Sequence, residues 1–260
     1  MWEMESQLAL NAVKSVAHLL TSVPQSIQIS KKSTVRDLVT SVDLEIEEKI
    51  SRQLSTSKYP LLGEESYYKD NQLTPPPFWA LDPIDGTLNF ISTIVYYGTS
   101  LGLYTGQFSV GAVSLPLLKA YYYTTGTQAM MNGEPIYAHD SKIENSLIAE
   151  FFLGSAVSDA NFDSQYQFHQ HLLSKTRGVM RLGSIAAALC MVSSGRVQAV
   201  IGRNTEIWDA AGGIAVALQA GCKLWYEHNP LSTKLNFIVA VPSLIQELIT
   251  ASSQFNLMRK

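Results

Sequence analysis

The sequence predicts an α+β first half joined to an α/β second half, with the boundary near residues 139–145. Three textures predict it: helical apolar spacing before Pro60, short glycine-punctuated apolar runs from Phe78 to Thr124, and alternating strand-like and helix-like segments after Pro135. A chain of 260 residues can bury a substantial core, as one large domain or two modest ones. The division is placed at 1–143 and 144–260.

Leu8, Ala12, Val16, Leu19 and Leu20 recur at helical spacing before Pro24, which predicts a first amphipathic helix. Asp43 leads into a second, in which Leu44, Ile46, Ile50 and Leu54 are separated by charged residues. Pro60 and the "LLGEES" after it mark the end of that helix and an approach to something more polar. The runs "FWALD", "YYGTSLGLY", "FSVGAVSLP" and "KAYYYTT" read as successive strands of an antiparallel sheet, with Thr105-Gly106 or Gly106-Gln107 at a hairpin tip.

Beyond Pro135, "NSLIAEFF" reads as a strand, "SIAAALCMVSSG" as a helix and "RVQAVIG" as a strand. "DAAGGIAVALQAGC" then reads as a helix, "NFIVAV" as a strand and "PSLIQELITASS" as a closing helix. Neither an internal repeat nor a low-complexity linker interrupts them.

Nineteen basic against twenty-two acidic residues give a net charge of −3, and no basic run is longer than the pair Lys31-Lys32, so no nucleic-acid partner is expected. Cys190 and Cys222 sit in apolar runs without a CxxC pair, which suits a reducing, cytoplasmic setting. The amino terminus lacks a basic segment ahead of its apolar part and no apolar run reaches membrane length, so a soluble, unexported chain with no membrane partner is expected.

Asp82 and Asp85 hold the chemistry that composition does not explain. Apolar "PFWAL" delivers Asp82 at a strand end, and Pro83 with Gly86 makes a sharp turn that returns the second carboxylate beside the first. Two like charges buried together are costly unless a cation or a proton compensates. The same residues also fit an ordinary acidic turn whose Asp side chains cap backbone N–H groups.

Glu64 and Glu65 add carboxylates after "YPLL", and Asp209 precedes a small-residue helix that it could cap. Glu64, Asp82, Asp85 and Asp209 make an oxygen-rich set suited to a hard ion such as Mg²⁺. His169 and His171 would face opposite ways on a helix and read as surface or packing residues instead of zinc ligands.

Five segments together resemble the lithium-sensitive, Mg²⁺-dependent phosphatases related to inositol monophosphatase: "KSTVRDLVTSVD" (32–43), "GEES" (63–66), "WALDPIDGTLNF" (79–90), "RLGSIAAALC" (181–190) and "WDAAGGIAVALQAGC" (208–222). They follow the family's order across most of the chain. The resemblance implies a layered αβαβα sandwich, two or three Mg²⁺ ions per site, a homodimer and a small phosphorylated metabolite as substrate.

The same resemblance assigns roles. Asp82 corresponds to the carboxylate that bridges two ions, Glu64 and the Ile84 carbonyl to ligands of the first, and Asp85 and Asp209 to ligands of the second. Thr87 corresponds to the residue that orients the attacking water with Glu64, and Asp43 to the acid that supports it by a hydrogen bond. Gly86 and Thr87 would hold phosphate oxygens through backbone N–H groups. Lys32 matches a basic residue near the third metal, and Glu65 lies beside this shell. Direct hydrolysis by a Mg²⁺-activated water follows, with neither Ser184 nor Cys190 as a covalent nucleophile.

The chain departs from the inositol-specific pattern around the leaving group. A glutamate that contacts ring hydroxyls in those members is Gly202 here, and their Gly-Thr-Ala reads Gly183-Ser184-Ile185. Loss of that acceptor weakens a polyol contact, and Ile185 narrows or dries the pocket. Inositol monophosphate remains the expected ester, with fructose 1,6-bisphosphate, 3′-phosphoadenosine 5′-phosphate or histidinol phosphate as alternatives. Arg181 and Arg203 are accessory candidates for reading a second phosphate. A metal-binding pseudoenzyme or structural partner is the alternative of a different class, and the retained carboxylates and Thr87 argue against it.

Overall fold

The computed structural model describes residues 2–24, 27–31, 38–152, 161–229 and 231–257. The first helix, α1 (Glu3–Val16), runs on as a 3₁₀ turn over Ala17–Leu20, and its buried stripe includes Ala9, Ala12, Val13 and Val16. Leu8 and Leu19 sit at the edge of the same core. A short antiparallel pair follows, β1 (Ile29–Lys31) with β2 (Leu38–Thr40). Lys32 lies outside the described residues.

Thr40 caps α2 (Ser41–Leu54): its hydroxyl accepts from the Val42 and Asp43 N–H groups, and the Asp43 carboxylate accepts from the Thr40 N–H. Asp43 thus belongs to the first turn of the helix and does not precede it, because a capping box needs its acid at the third helical position. Val42, Ile46, Ile50 and Leu54 face the core, whereas Leu44 of the expected stripe points to solvent.

The polar-looking stretch after Pro60 conceals two elements, β3 (Leu61–Gly63) and α3 (Glu64–Asp70). The expected antiparallel run is β4 (Phe78–Asp85), β5 (Gly98–Tyr104), β6 (Phe108–Leu115) and β7 (Ala120–Thr124), with α4 (Thr87–Ile91) between β4 and β5. The β5–β6 hairpin turns through Gly106, at φ +89°. β8 (Ala129–Met131) and β9 (Glu134–Pro135) complete a seven-stranded sheet in the order β3-β4-β5-β6-β7-β8-β9. β3 joins β4 in parallel, so this sheet is mixed.

In the second half β10 (Leu147–Phe151) is as expected, α5 (Phe162–Lys175) and β11 (Gly178–Met180) are additional, and α6 (Ile185–Ser193), β12 (Ala199–Glu206) and α7 (Ile207–Gln219) again follow the expected order. It closes with β13 (Lys223–His228), β14 (Lys234–Ala240) and α8 (Ile245–Gln254). These strands form a five-stranded sheet in the order β11-β10-β12-β14-β13, parallel from β11 to β12 and antiparallel beyond.

Five layers result. α1 and α2 cover one face of the larger sheet, α6 and α7 lie between the sheets, and α5 and α8 cover the outer face of the smaller one. The middle layer is tight because its helices are built of small residues: a Cβ added to Gly111 on β6 would fall 2.0 Å from the Gly212 carbonyl oxygen of α7. Backbone-to-backbone contact of this kind fixes α7 against the larger sheet, and with it the height of Asp209. Among the described residues no helix is long and apolar enough to cross a membrane.

Candidate active site

An irregularity in β4 places the paired aspartates. In a regular strand, residues three apart point to opposite faces. Here Asp82 pairs with Ser100 and Asp85 with Gly98, so the Pro83-Ile84 step inserts one extra residue opposite β5. The insertion reverses the alternation and brings both carboxylates to one side, where the charge of Asp85 bears on Asp82. The Thr99 hydroxyl holds the bulge by donating to the Pro83 carbonyl at 2.9 Å. Gly86, at φ +92°, then turns the chain into α4, a backbone angle that a residue with a Cβ adopts only under strain.

Asp85 is anchored across the layer boundary. Its Oδ2 accepts from the Ser184 hydroxyl at 2.5 Å and the Ala186 N–H at 2.6 Å, and its Oδ1 from the Ile185 N–H at 3.2 Å. It therefore sits on the first turn of α6, whose unpaired N–H groups favour an anion. Ser184 is used twice, since its oxygen also accepts from the Ala187 N–H at 3.0 Å as the helix N-cap. Gly183 and the α4 turn are drawn together by Asn89, whose amide donates to the Tyr96 and Leu182 carbonyls at 2.6 and 2.7 Å.

Glu64 opens α3 beside Asp82, close enough for a hydrogen bond between the two side chains. Its helix is held by a residue the sequence reading passed over: Glu47 on α2 accepts from the Glu65 and Ser66 N–H groups at 2.9 and 2.8 Å. Glu47 is buried on the apolar side of α2, four residues after Asp43, and an acid on that side was the available signal. Asp209 stands in the first turn of α7 rather than ahead of it, with its carboxylate accepting from the Glu206 N–H.

These acids cannot all be charged at no cost. Burial, reinforced by the charges of Glu64, Asp85 and Asp209, pushes the Asp82 carboxyl well above the usual carboxylate range. Asp209 is pushed up in the same way by burial and by Asp85 and Glu64. Asp85 rises to about 6 by burial, held down from higher values by the bonds from Ser184, Ala186 and Ile185. Oδ1 of Asp82 is buried and accepts no hydrogen bond among the described residues. A crowded, all-oxygen set with an idle buried acceptor fits a hard divalent cation, which would supply the missing positive charge. Among the described residues no three His, Cys, Asp or Glu side chains converge tightly enough to hold an ion where they stand.

The Thr87 hydroxyl donates to the Ile84 carbonyl at 3.1 Å, and Oδ2 of Asp43 accepts from the Thr40 hydroxyl at 2.6 Å. Ile185 is buried in the first turn of α6. Gly202 opens no space: a Cβ there would fall 2.3 Å from the Phe237 ring of β14, its partner in register. Arg181 precedes α6, and its charge acts on buried Glu150. Arg203 lies on β12, next to the irregular step that separates Gly202 from Thr205. His169 and His171 do go separate ways on α5, the first 3.4 Å from Glu150 and the second against the Phe255 ring.

The description "Inositol monophosphatase family" belongs to the family profile that matches residues 2–257. "Inositol-1-monophosphatase SuhB" of Mycobacterium tuberculosis is 30% identical over 239 residues, covering 88% of this chain and 82% of its own. "Fructose-1,6-bisphosphatase/inositol-1-monophosphatase" of Thermotoga maritima is 27% identical and covers 82% of this chain and 81% of its own. A solved Thermotoga maritima IMPase superposes with a TM-score of 0.80 at 25% identity, over 96% of this chain and 97% of that one. The chain belongs to the inositol monophosphatase family.

Proposed function

We propose that this inositol monophosphatase family member hydrolyses a small phosphate monoester at the junction of β4, α3, α6 and α7, with Asp82, Glu64, Asp85, Asp209 and the Ile84 carbonyl as the ligands of two or three Mg²⁺ ions. As a member of this family the chain is a metal-dependent phosphomonoesterase. The mutual crowding of buried Asp82, Asp85 and Asp209 is the observation that supports the ligand set.

Bound Mg²⁺ would supply Lewis-acid chemistry, making a water more acidic and screening charge on the ester oxygens. The chain's own residues do the rest. Glu64 would receive the proton from the attacking water, with Thr87 orienting that water and Asp43 supporting Thr87 by a hydrogen bond. The backbone N–H groups of Gly86 and Thr87 would hold phosphate oxygens. Lys32 and Glu65 are assigned to the margin of the metal shell, and Arg181 and Arg203 to accessory contacts with a second anionic group.

Neither Ser184 nor Cys190 is prepared for covalent catalysis. The Ser184 hydroxyl is spent on Asp85 and the α6 cap, and burial and the charge of Asp85 push the Cys190 thiol well above its ordinary range. Attack by water is therefore direct.

Inositol monophosphate, in keeping with the mycobacterial relative's name, is the first ester to assay, and fructose 1,6-bisphosphate, from the Thermotoga relative's, the second. 3′-Phosphoadenosine 5′-phosphate and histidinol phosphate complete the panel. Phe237 filling the position beside Gly202 weighs against a polyol, because no acceptor can be presented there. A homodimer is part of the proposal, and sedimentation as a single small species would remove it. The substrate is decided by kcat/KM across the panel with Mg²⁺: a clear lead for inositol monophosphate supports the family's ester, and a lead for another ester replaces it.

A further inference from the structure

An aromatic surface borders the proposed carboxylate site. Glu64 and Tyr68 are four residues apart on α3 and so share one helix face. Helical side chains lean toward the N-terminus, so the Tyr68 side chain leans back toward the turn that carries Glu64. The ring meets Trp208, the residue before Asp209, with centroids 6.0 Å apart and planes at 71°. Tyr67 packs on the same indole at 5.3 Å. Trp208 is fully buried, yet Tyr68 keeps 41% of its surface open. A large ring is thus fixed between two carboxylate-bearing turns with part of its surface uncovered.

Two neutral polar groups of the site, Ser184 and Asn89, offer little to a polyhydroxylated alcohol. Ser184 is committed to Asp85 and to its own helix, and the Asn89 amide donates to two backbone carbonyls. Gly202 presents no side chain, and the Phe237 ring stands where one would project. Among the described residues, beside the carboxylates and the accessory Arg181 and Arg203, the Tyr68 ring offers a leaving group an aromatic edge and face.

We propose that Tyr68 is a leaving-group contact, and that the site prefers a phosphate ester whose alcohol carries a flat unsaturated ring over one carrying a saturated ring of equal size. The proposal rests on the phosphomonoesterase reading above. Offset or edge-on packing of two rings exceeds simple area burial by enough to shift binding roughly threefold to tenfold.

Benzyl and cyclohexylmethyl phosphate test it, because both leaving groups are primary alcohols of similar basicity and differ in ring planarity. The two matching phosphonates, which cannot be hydrolysed, give a binding readout by calorimetry with Mg²⁺ present. The expected result is a preference of about fivefold for the benzyl member in both kcat/KM and phosphonate affinity. Tyr68→Leu should abolish this preference and Tyr68→Phe should keep it. The ratio between ligands is the readout, so a variant that is only partly folded still reports.

Equal handling of the two phosphonates by the wild-type protein, or a preference that survives Tyr68→Leu, overturns the proposal. Release of phosphate from any other ester alongside that result leaves the hydrolase reading standing. Conversely, a Tyr68-dependent phosphonate preference without turnover of any ester supports the contact and removes the hydrolase reading.

Discussion

The Ser184 hydroxyl lies 2.5 Å from Oδ2 of Asp85, joining the bulged end of one sheet to the first turn of a helix between the two sheets. The pair are 99 residues apart in sequence, so the bond fixes the relative position of two of the segments that build the site. Ser184→Ala removes a charge-assisted bond and an N-cap together, and should cost about 2–4 kcal/mol in urea unfolding. Ser184→Thr should recover most of it. A loss within about 0.5 kcal/mol would mean that the backbone donors of Ile185 and Ala186 hold Asp85 unaided.

Glu47 is expected to matter to metal binding without touching the metal. Its carboxylate fixes the start of α3, which carries Glu64. Glu47→Ala should weaken the Mg²⁺ midpoint for phosphate release about tenfold, as removal of an orienting partner behind a ligand does. An unchanged midpoint in a folded variant would detach α3 from the site.

Gly202 and Phe237 should behave as a coupled pair. Gly202→Ala forces a methyl against the ring and should destabilise by about 1–3 kcal/mol. In the Phe237→Leu background the same change should cost less, since a smaller side chain can yield. Additive effects in the double-mutant cycle would show that the contact is not the reason for glycine.

His228 supplies the pH dependence that is cleanest to read. Burial lowers its imidazole below the ordinary value of 6.5, with the Ser232 carbonyl bond acting the other way. A depressed folded-state value means the neutral ring is preferred, so this stability is present above about pH 6.5 and is lost as pH falls through the folded value. The melting temperature of wild type relative to His228→Asn should therefore drop between about pH 7.5 and about pH 5. A difference that stays flat over that range would show that the ring keeps an ordinary affinity for its proton.

Much of the fold was legible because its signals are local. Helical spacing gave α1, glycine punctuation gave the β5–β6 hairpin, and the alternation after Pro135 gave the β10, α6, β12 and α7 order. β3 and α3 were not legible, because three strand residues and a seven-residue helix are too short for periodicity to show. Leu44 misled because apolar spacing does not report which residues a tertiary neighbour covers.

The site divides along the same line. Asp82 and Asp85 announced themselves as two acids at an apolar-flanked turn, but the bulge that brings them to one side depends on pairing with β5. Asp43 and Asp209 read as residues ahead of helices and turned out to lie inside first turns, a shift too small for sequence to resolve. Glu47 and Tyr68 act through partners on other elements: an acid on the apolar side of α2 was the one signal for Glu47, and Tyr68 offered only its place four residues after Glu64. Gly202 read as a lost carboxylate, and only the register with β14 shows that the Phe237 ring stands in its place.

The central claim is that crowded carboxylates at the end of β4 hold Mg²⁺ for hydrolysis of a phosphate ester. Phosphate release by wild type and by Asp82→Asn, measured across a Mg²⁺ titration, tests it most directly. Wild type should release phosphate only when Mg²⁺ is present, and Asp82→Asn should fall by at least about 100-fold while remaining folded. Release that persists in chelator, or an Asp82→Asn variant as active as wild type, would contradict it.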